Sequence, residues 1–181
     1  MFPSGAGGVK AGEGLQPLDL IPSAPHPPPM KRAPVLLILA AVAFAASAGT
    51  CAWLMSRYTP GYSAAQMFMD ADPVAKLVIL FVQTLTFGVV VFGVIGLFAR
   101  SAAGAMRLLL ALAAGLSAAL GLLAGLYGWM NIQTAIRNVG PVRFEVAAPS
   151  YAETLLALSV GLFGALVALG LHALIGRRHR M

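Results

Sequence analysis

The sequence predicts an all-α, polytopic membrane protein with four transmembrane helices and both termini in the cytoplasm. Three observations carry that reading. First, 59% of the 181 residues are apolar and only 10% are charged, with a mean hydropathy of +0.85; soluble domains lie nearer half apolar and roughly a quarter charged. Second, the uncharged windows 33–56, 77–99, 108–136 and 154–176 each exceed the roughly 20 residues that a helix needs to cross about 30 Å of hydrocarbon. Backbone groups in lipid must find partners within the chain, so these windows are expected to be helices. Third, the twelve Lys and Arg residues are unequally shared. Lys10, Lys31, Arg32, Arg100, Arg107, Arg177, Arg178 and Arg180 fall on one side of a four-span topology, and only Arg57, Lys76, Arg137 and Arg143 on the other. The excess of positive charge marks the first side as cytoplasmic.

The elements follow in chain order. Residues 1–33 hold seven prolines (3, 17, 22, 25, 27, 28 and 29) and many glycines, without apolar periodicity. Such a segment buries too little surface to offset its ordering entropy and is expected to be a disordered cytoplasmic tail. Residues 34–181 are expected to form the four-helix domain, with spans near 34–56, 75–99, 106–132 and 151–176. The first span has an alternative reading. Met30-Lys31-Arg32, followed by an apolar run reaching Ala46-Ser47-Ala48, resembles a secretory signal with a small-residue cleavage site. The run continues through Trp53-Leu54-Met55, which favours a retained helix. The second span opens on Asp72-Pro73, an N-cap followed by proline at the first helical position. Tyr127 and Trp129 near the end of the third span, and Tyr151 at the start of the fourth, suit the aromatic belt of a membrane interface. The fourth span opens on Ser150-Tyr151-Ala152-Glu153, which has capping-box spacing, with Pro149 just before it.

Small residues mark the faces that should pack. The third span contains Gly121-xxx-Gly125, with Gly115 and Gly128 flanking; the fourth contains Ala157-xxx-Gly161 and Gly161-xxx-Ala165. Residues four apart share a helix face, and small ones let two backbones approach. Two consecutive spans with this pattern predict a tight antiparallel pair. Polar residues within the spans are Gln83, Thr84, Thr86, Ser117 and Ser159. The hydroxyls are expected to bond a carbonyl one turn back. Gln83 is more costly in lipid and should face another helix.

Three passages resemble the MotA/TolQ/ExbB proton-channel family, particularly its ExbB/TolQ branch. Residues 71–78 (ADPVAKLV) are similar to the entry of that family's first conserved helix, residues 121–130 (GLLAGLYGWM) to its glycine-rich second, and residues 148–163 (APSYAETLLALSVGLF) to its third. The likeness covers roughly residues 70–172 and keeps the order and orientation of the three helices. It implies a homo-oligomeric ring in a bacterial inner membrane, a pentamer in that branch. The ring encloses a single-span partner of the ExbD/TolR type, whose aspartate carries the proton. By position, Glu153 matches the acid at the head of the family's third helix, and with Ser159 it is the candidate for a proton path or pore mouth. The chain departs from the pattern where Gly125 and Leu158 replace threonines that line the conduction path, although Ser159 adjoins the second. Its loop near residues 100–107 and its tail at residues 177–181 replace a much larger cytoplasmic part.

Other classes fit poorly. The net charge of +6 and pI near 10.1 come from basic residues flanking apolar runs rather than from a patch for nucleic acid. His26, His172 and His179 lie toward the ends of the chain, and the single cysteine, Cys51, cannot form an internal disulfide. No metal-ligand spacing, phosphate loop or nucleophile–base pair is present, so neither a metal, a cofactor nor an enzymatic activity is expected. The expected function is a reduced ExbB/TolQ-like subunit that couples proton motive force to envelope work. The alternative is a non-conducting membrane scaffold or assembly subunit built on the same helices.

Overall fold

The computed structural model describes residues 32–178, and the segment read as a disordered tail lies outside them apart from its last two residues. Those two, Arg32 and Ala33, already belong to α1, which runs Arg32–Tyr58. A short helix α2 (Ala64–Asp70) precedes α3 (Pro73–Phe98). A 3-10 turn at Arg100–Ala102 leads into α4 (Ala103–Val139), and α5 runs Phe144–Arg178. The protein is thus all-helical, with four helices, α1, α3, α4 and α5, long and apolar enough to cross a membrane. It is a multi-pass membrane protein by the composition of these helices.

Local chemistry explains most boundaries. The Asp72 side chain accepts a hydrogen bond from the Val74 N–H at 2.8 Å, and Pro73 occupies the first turn, where no N–H is needed. The same logic builds α2, which the sequence reading did not anticipate: Ser63 caps the Gln66 N–H while the Gln66 side chain returns to the Ser63 N–H. Gly140 ends α4 at φ +95°, a backbone conformation open to glycine, and its N–H still donates to the Ile136 carbonyl at 2.9 Å.

The last two helices are longer than expected. α4 has 37 residues and α5 has 35, so each exceeds the roughly 20 residues that hydrocarbon requires. The polar stretch after Met130 continues α4, and α5 begins seven residues before Tyr151. This overturns the capping box expected at Ser150. Ser150 lies inside α5, as does Pro149, and the helix starts at Phe144. The reason is tertiary: Ala148 and Ala152 are both 1% exposed, so packing holds this turn helical across the proline. Proline removes one N–H from the ladder, so the Glu145 carbonyl loses its partner four residues on, in the part of the hairpin nearest its tip.

α5 is the hub. It packs against α1, α3 and α4, whereas α1 makes no extensive contact with α3 or α4. Registry fixes the directions. Gly121 meets Gly161 and Gly128 meets Thr154, so α4 runs antiparallel to α5. Gly93 meets Leu171 and Gly96 meets Ile175, so α3 runs parallel to it. On α1, the pairs Phe44–Phe163 and Tyr58–Phe144 make that helix antiparallel as well. The four helices therefore alternate in direction, and residues 32 and 178 lie at the same end of the bundle.

The α4–α5 seam is tightest where two glycines cross. A Cβ on Gly161 would lie 2.5 Å from the Gly121 Cα and 2.7 Å from the Ser117 carbonyl oxygen; one on Gly121 would lie 2.8 Å from the Gly161 Cα. The obstacles are backbone atoms, which cannot swing aside. Elsewhere along the expected faces the contacts differ in kind. Gly125 faces the Leu158 side chain at ordinary contact distance, and Gly128 faces the Thr154 side chain. Ala157 packs where α3 and α4 meet on α5, in a cluster with Ile79 and Ala124, and Ala165 is 2% exposed. Gly115, read as flanking this seam, has no atom near the position of a Cβ and lies on the outer surface.

Gly161→Ala is expected to destabilise the protein by about 1–3 kcal/mol, the usual cost of overpacking a close contact, and Gly115→Ala to leave stability unchanged or slightly raised. Thermal unfolding of both variants in detergent micelles checks the contrast.

Candidate functional site

Glu153 sits about one-quarter of the way along α5, partly buried, at the end of the bundle where α3 begins. Its Oε1 accepts a hydrogen bond from the Asp72 backbone N–H at 3.0 Å. The acid expected to cap its own helix therefore caps a neighbouring one. The physics is the same: the first amides of a helix lack internal partners and carry the positive end of its dipole, so a carboxylate is stabilised there. Because α3 and α5 run parallel, the start of one lies level with an early turn of the other.

The surroundings are polar. Asp72, Tyr127, Asn131, Ser150, Glu153 and Thr154 line a cleft of about 270 Å³ between α3, α4 and α5. Asp72 spends its Oδ1 on the Val74 amide, and the Lys76 ammonium donates to the Met69 carbonyl at 2.6 Å. Beside the cleft, the Tyr62 hydroxyl donates to Asp70 Oδ2. That bond, with the charges of Asp70 and Glu153 nearby, pushes the Tyr62 phenol above its ordinary value. The described carboxylates Asp70, Asp72, Glu145 and Glu153 all belong to this end, whereas Arg107, Arg177 and Arg178 belong to the other. No group of three or more His, Cys, Asp or Glu side chains among the described residues could hold a metal ion.

Ser159 is not part of this cleft. Six residues past Glu153, it turns toward α1, where its hydroxyl donates to the Leu155 carbonyl at 2.6 Å and lies 3.1 Å from the Ser47 hydroxyl. Ser47 in turn reaches the Phe44 carbonyl at 3.1 Å. Two hydroxyl hydrogens serve three contacts, so one contact always lacks a proton. The two candidate residues are thus separated, one on the α3 side of α5 and one on the α1 side.

The chain matches no protein-family model, no curated protein and no solved structure. Its site must be read from its own chemistry.

The remaining span residues divide. Thr84 and Thr86 bond the Leu80 and Val82 carbonyls, as expected of membrane hydroxyls. Ser117 does not: it is 0% exposed and its Oγ has no hydrogen-bond partner among the described residues, in a contact with Gly164 that Thr86 shares. Gln83, expected to face another helix, is exposed on α3 and lies at the edge of a groove instead. Sequence reasoning missed Ser47, and the Asp72 amide as the partner of Glu153. The available signal for the second was that both residues were expected to lie where a span begins from the same membrane face.

Glu153→Ala is expected to cost about 1.5 kcal/mol, within the range for a hydrogen bond to a charged group, and Glu153→Gln about half of that, since its amide oxygen still accepts from Asp72. Chemical denaturation in micelles, comparing both variants with the native chain, measures the difference; equal losses would show that charge rather than the hydrogen bond holds α3.

Proposed function

We propose that the chain is an ExbB/TolQ-like subunit of a bacterial inner membrane, with both termini cytoplasmic. It assembles as a homo-oligomeric ring around a single-span helix of the ExbD/TolR type and couples proton motive force to envelope transport or mechanical work. One arrangement carries the reading: three alternating helices, α3, α4 and α5, joined at a glycine crossing, with a carboxylate beside a polar cleft at one mouth. That is the order and the acid position that the sequence likeness implies. Every described carboxylate lies at one end of the bundle, so a proton crossing the bilayer needs a titratable group from the partner helix. In this scheme Glu153 attracts and holds cations at the entrance while its Oε1 keeps α3 in place.

A second reading, a non-conducting scaffold, is favoured by the enclosure of α5. α1 covers the side of α5 away from α4, and Ser159 is engaged by Ser47 and its own helix, which leaves that hydroxyl unavailable to a conduction path.

The test uses the full chain co-reconstituted in vesicles with a single-span partner helix bearing an aspartate, with proton flux followed by an internal pH dye. Glu153→Gln is expected to lower flux about tenfold, as a loss of about 1.4 kcal/mol of barrier stabilisation would, with assembly unchanged. Unaltered flux in that variant would reduce Glu153 to a cap for α3. Absence of flux in the native complex would favour the scaffold.

A further inference from the structure

The end of the bundle opposite Glu153 carries charge of one sign. The sequence holds no Asp or Glu between residues 73 and 144, or after 153. Arg107, Arg177 and Arg178 sit at this end without an ion pair among the described residues. Two of them are readily accounted for. Arg177 is exposed at the end of α5, where water solvates it. The Arg178 guanidinium lies 5.5 Å over the Phe98 ring, whose face attracts a cation. Arg107 is different. It is half-buried, its Nε is enclosed without a hydrogen-bond partner, and its two terminal amines bond nothing among the described residues. A guanidinium has five N–H donors and no acceptor, so all five are unspent, and leaving charged donors unserved is costly.

The group is also held in place. His172 Nδ1 lies 3.0 Å from the Arg107 carbonyl; a carbonyl only accepts, so that nitrogen carries the proton and ties α4 to α5 where the arginine stem begins. The guanidinium then lies along α5 at Gly176, where a Cβ would be 3.4 Å from both its Cζ and its Nη2. Depth limits what can approach it. Gly96 meets Met106 and Ile175, so Arg107 and Gly176, one residue on in each helix, lie close to that level. Gly96 is about 35 Å along α3 from Pro73. The polar end at Asp72 marks one edge of the hydrocarbon, and its roughly 30 Å ends close to Arg107. One step deeper on α4, Leu108 and Leu112 are exposed. A fixed, unspent cation at the boundary with bare leucines beneath it matches a head group and its tails.

We infer that Arg107, seated on Gly176, holds the phosphate of an anionic phospholipid, with its terminal amines bonding two phosphate oxygens and the lipid tails lying on Leu108 and Leu112. The planar fork matches two oxygens of one phosphate. The uncompensated positive charge of this end favours a lipid of net negative charge over a zwitterionic one. A soluble phosphate offers the same oxygens but nothing to cover the leucines, and so the lipid is the source. The inference requires no ring, partner helix or conduction, and stands or falls apart from the function proposed above.

The experiment uses the full chain in an uncharged detergent, titrated with phosphatidylglycerol, phosphatidylcholine or inorganic phosphate and read by native mass spectrometry. One phosphatidylglycerol is expected to be retained per chain, with phosphatidylcholine held about tenfold more weakly. Arg107→Gln is expected to lower phosphatidylglycerol affinity about tenfold, the scale of a bidentate charged contact. Arg107→Lys keeps the charge but not the fork, and is expected to cost about threefold. Arg177→Gln removes the same charge from an exposed position and is expected to cost less than about twofold. Unfolding temperatures without lipid check each fold, and Arg107→Lys carries the comparison if the glutamine variant is unstable. Equal losses from Arg107→Gln and Arg177→Gln would overturn the inference, since charge alone would then explain binding. Equal retention of phosphatidylcholine would overturn it too, as would displacement of the lipid by an equal concentration of inorganic phosphate.

Discussion

The contact on which the bundle depends is backbone against backbone. Where Gly121 and Gly161 cross, α4 and α5 approach so closely that neither helix can carry a side chain at that point. In lipid there is little hydrophobic gain from burying one apolar helix on another, because the tails are as apolar as leucine. What remains is dispersion between closely apposed atoms, small for each pair and large in sum. A glycine crossing maximises it. The rest of the arrangement follows from this choice: α3 fits the groove beside the seam, with Gly93 and Gly96 admitting Leu171 and Ile175, and α1 takes the far side of α5.

The polar groups are then distributed around the hub rather than along one line. Glu153 ties α5 to the start of α3. Ser159 ties α5 to Ser47 of α1, and the Cys51 thiol donates to the Ala152 carbonyl on the same side at 3.3 Å. Each is a sparse, directional bond laid over a seam that is otherwise non-specific. In a medium without competing water, such bonds set rotation and register more than they set total stability. That is a reason for an acid to sit at the mouth of a helix even where no ion passes.

How far the sequence could be read depends on how local the signal is. The four spans were legible because hydrophobic length is a property of contiguous residues. Asp72-Pro73 was legible because a cap and its helix are neighbours. The Ser150 box misled for the same reason: the spacing was right, but burial of Ala148 and Ala152 against other helices extended α5 through Pro149. Ser63 and Gln66 form the box that does exist, in a loop where no apolar pattern drew the eye. The Glu153–Asp72 bond joins residues 81 apart, and no window contains it. Gly121 and Gly161 could be named as packing residues, but only the structure distinguishes their mutual contact from Gly115, whose Cβ position meets no other helix among the described residues.

The extra length of the last two helices has a mechanical meaning. From the crossing at Gly121 to the end of α4 at Val139 is about 27 Å of helix, with the first turns of α5 lying alongside and only a four-residue connection between them. Gly125 against Leu158 and Gly128 against Thr154 carry the contact two turns past that crossing, and Gln133 reaches Tyr151 beyond them. The two rods are therefore clamped along their length and turn as one body. A tilt of about 10° of that body about the crossing would carry its tip sideways by about 5 Å, without any sliding of one helix on the other.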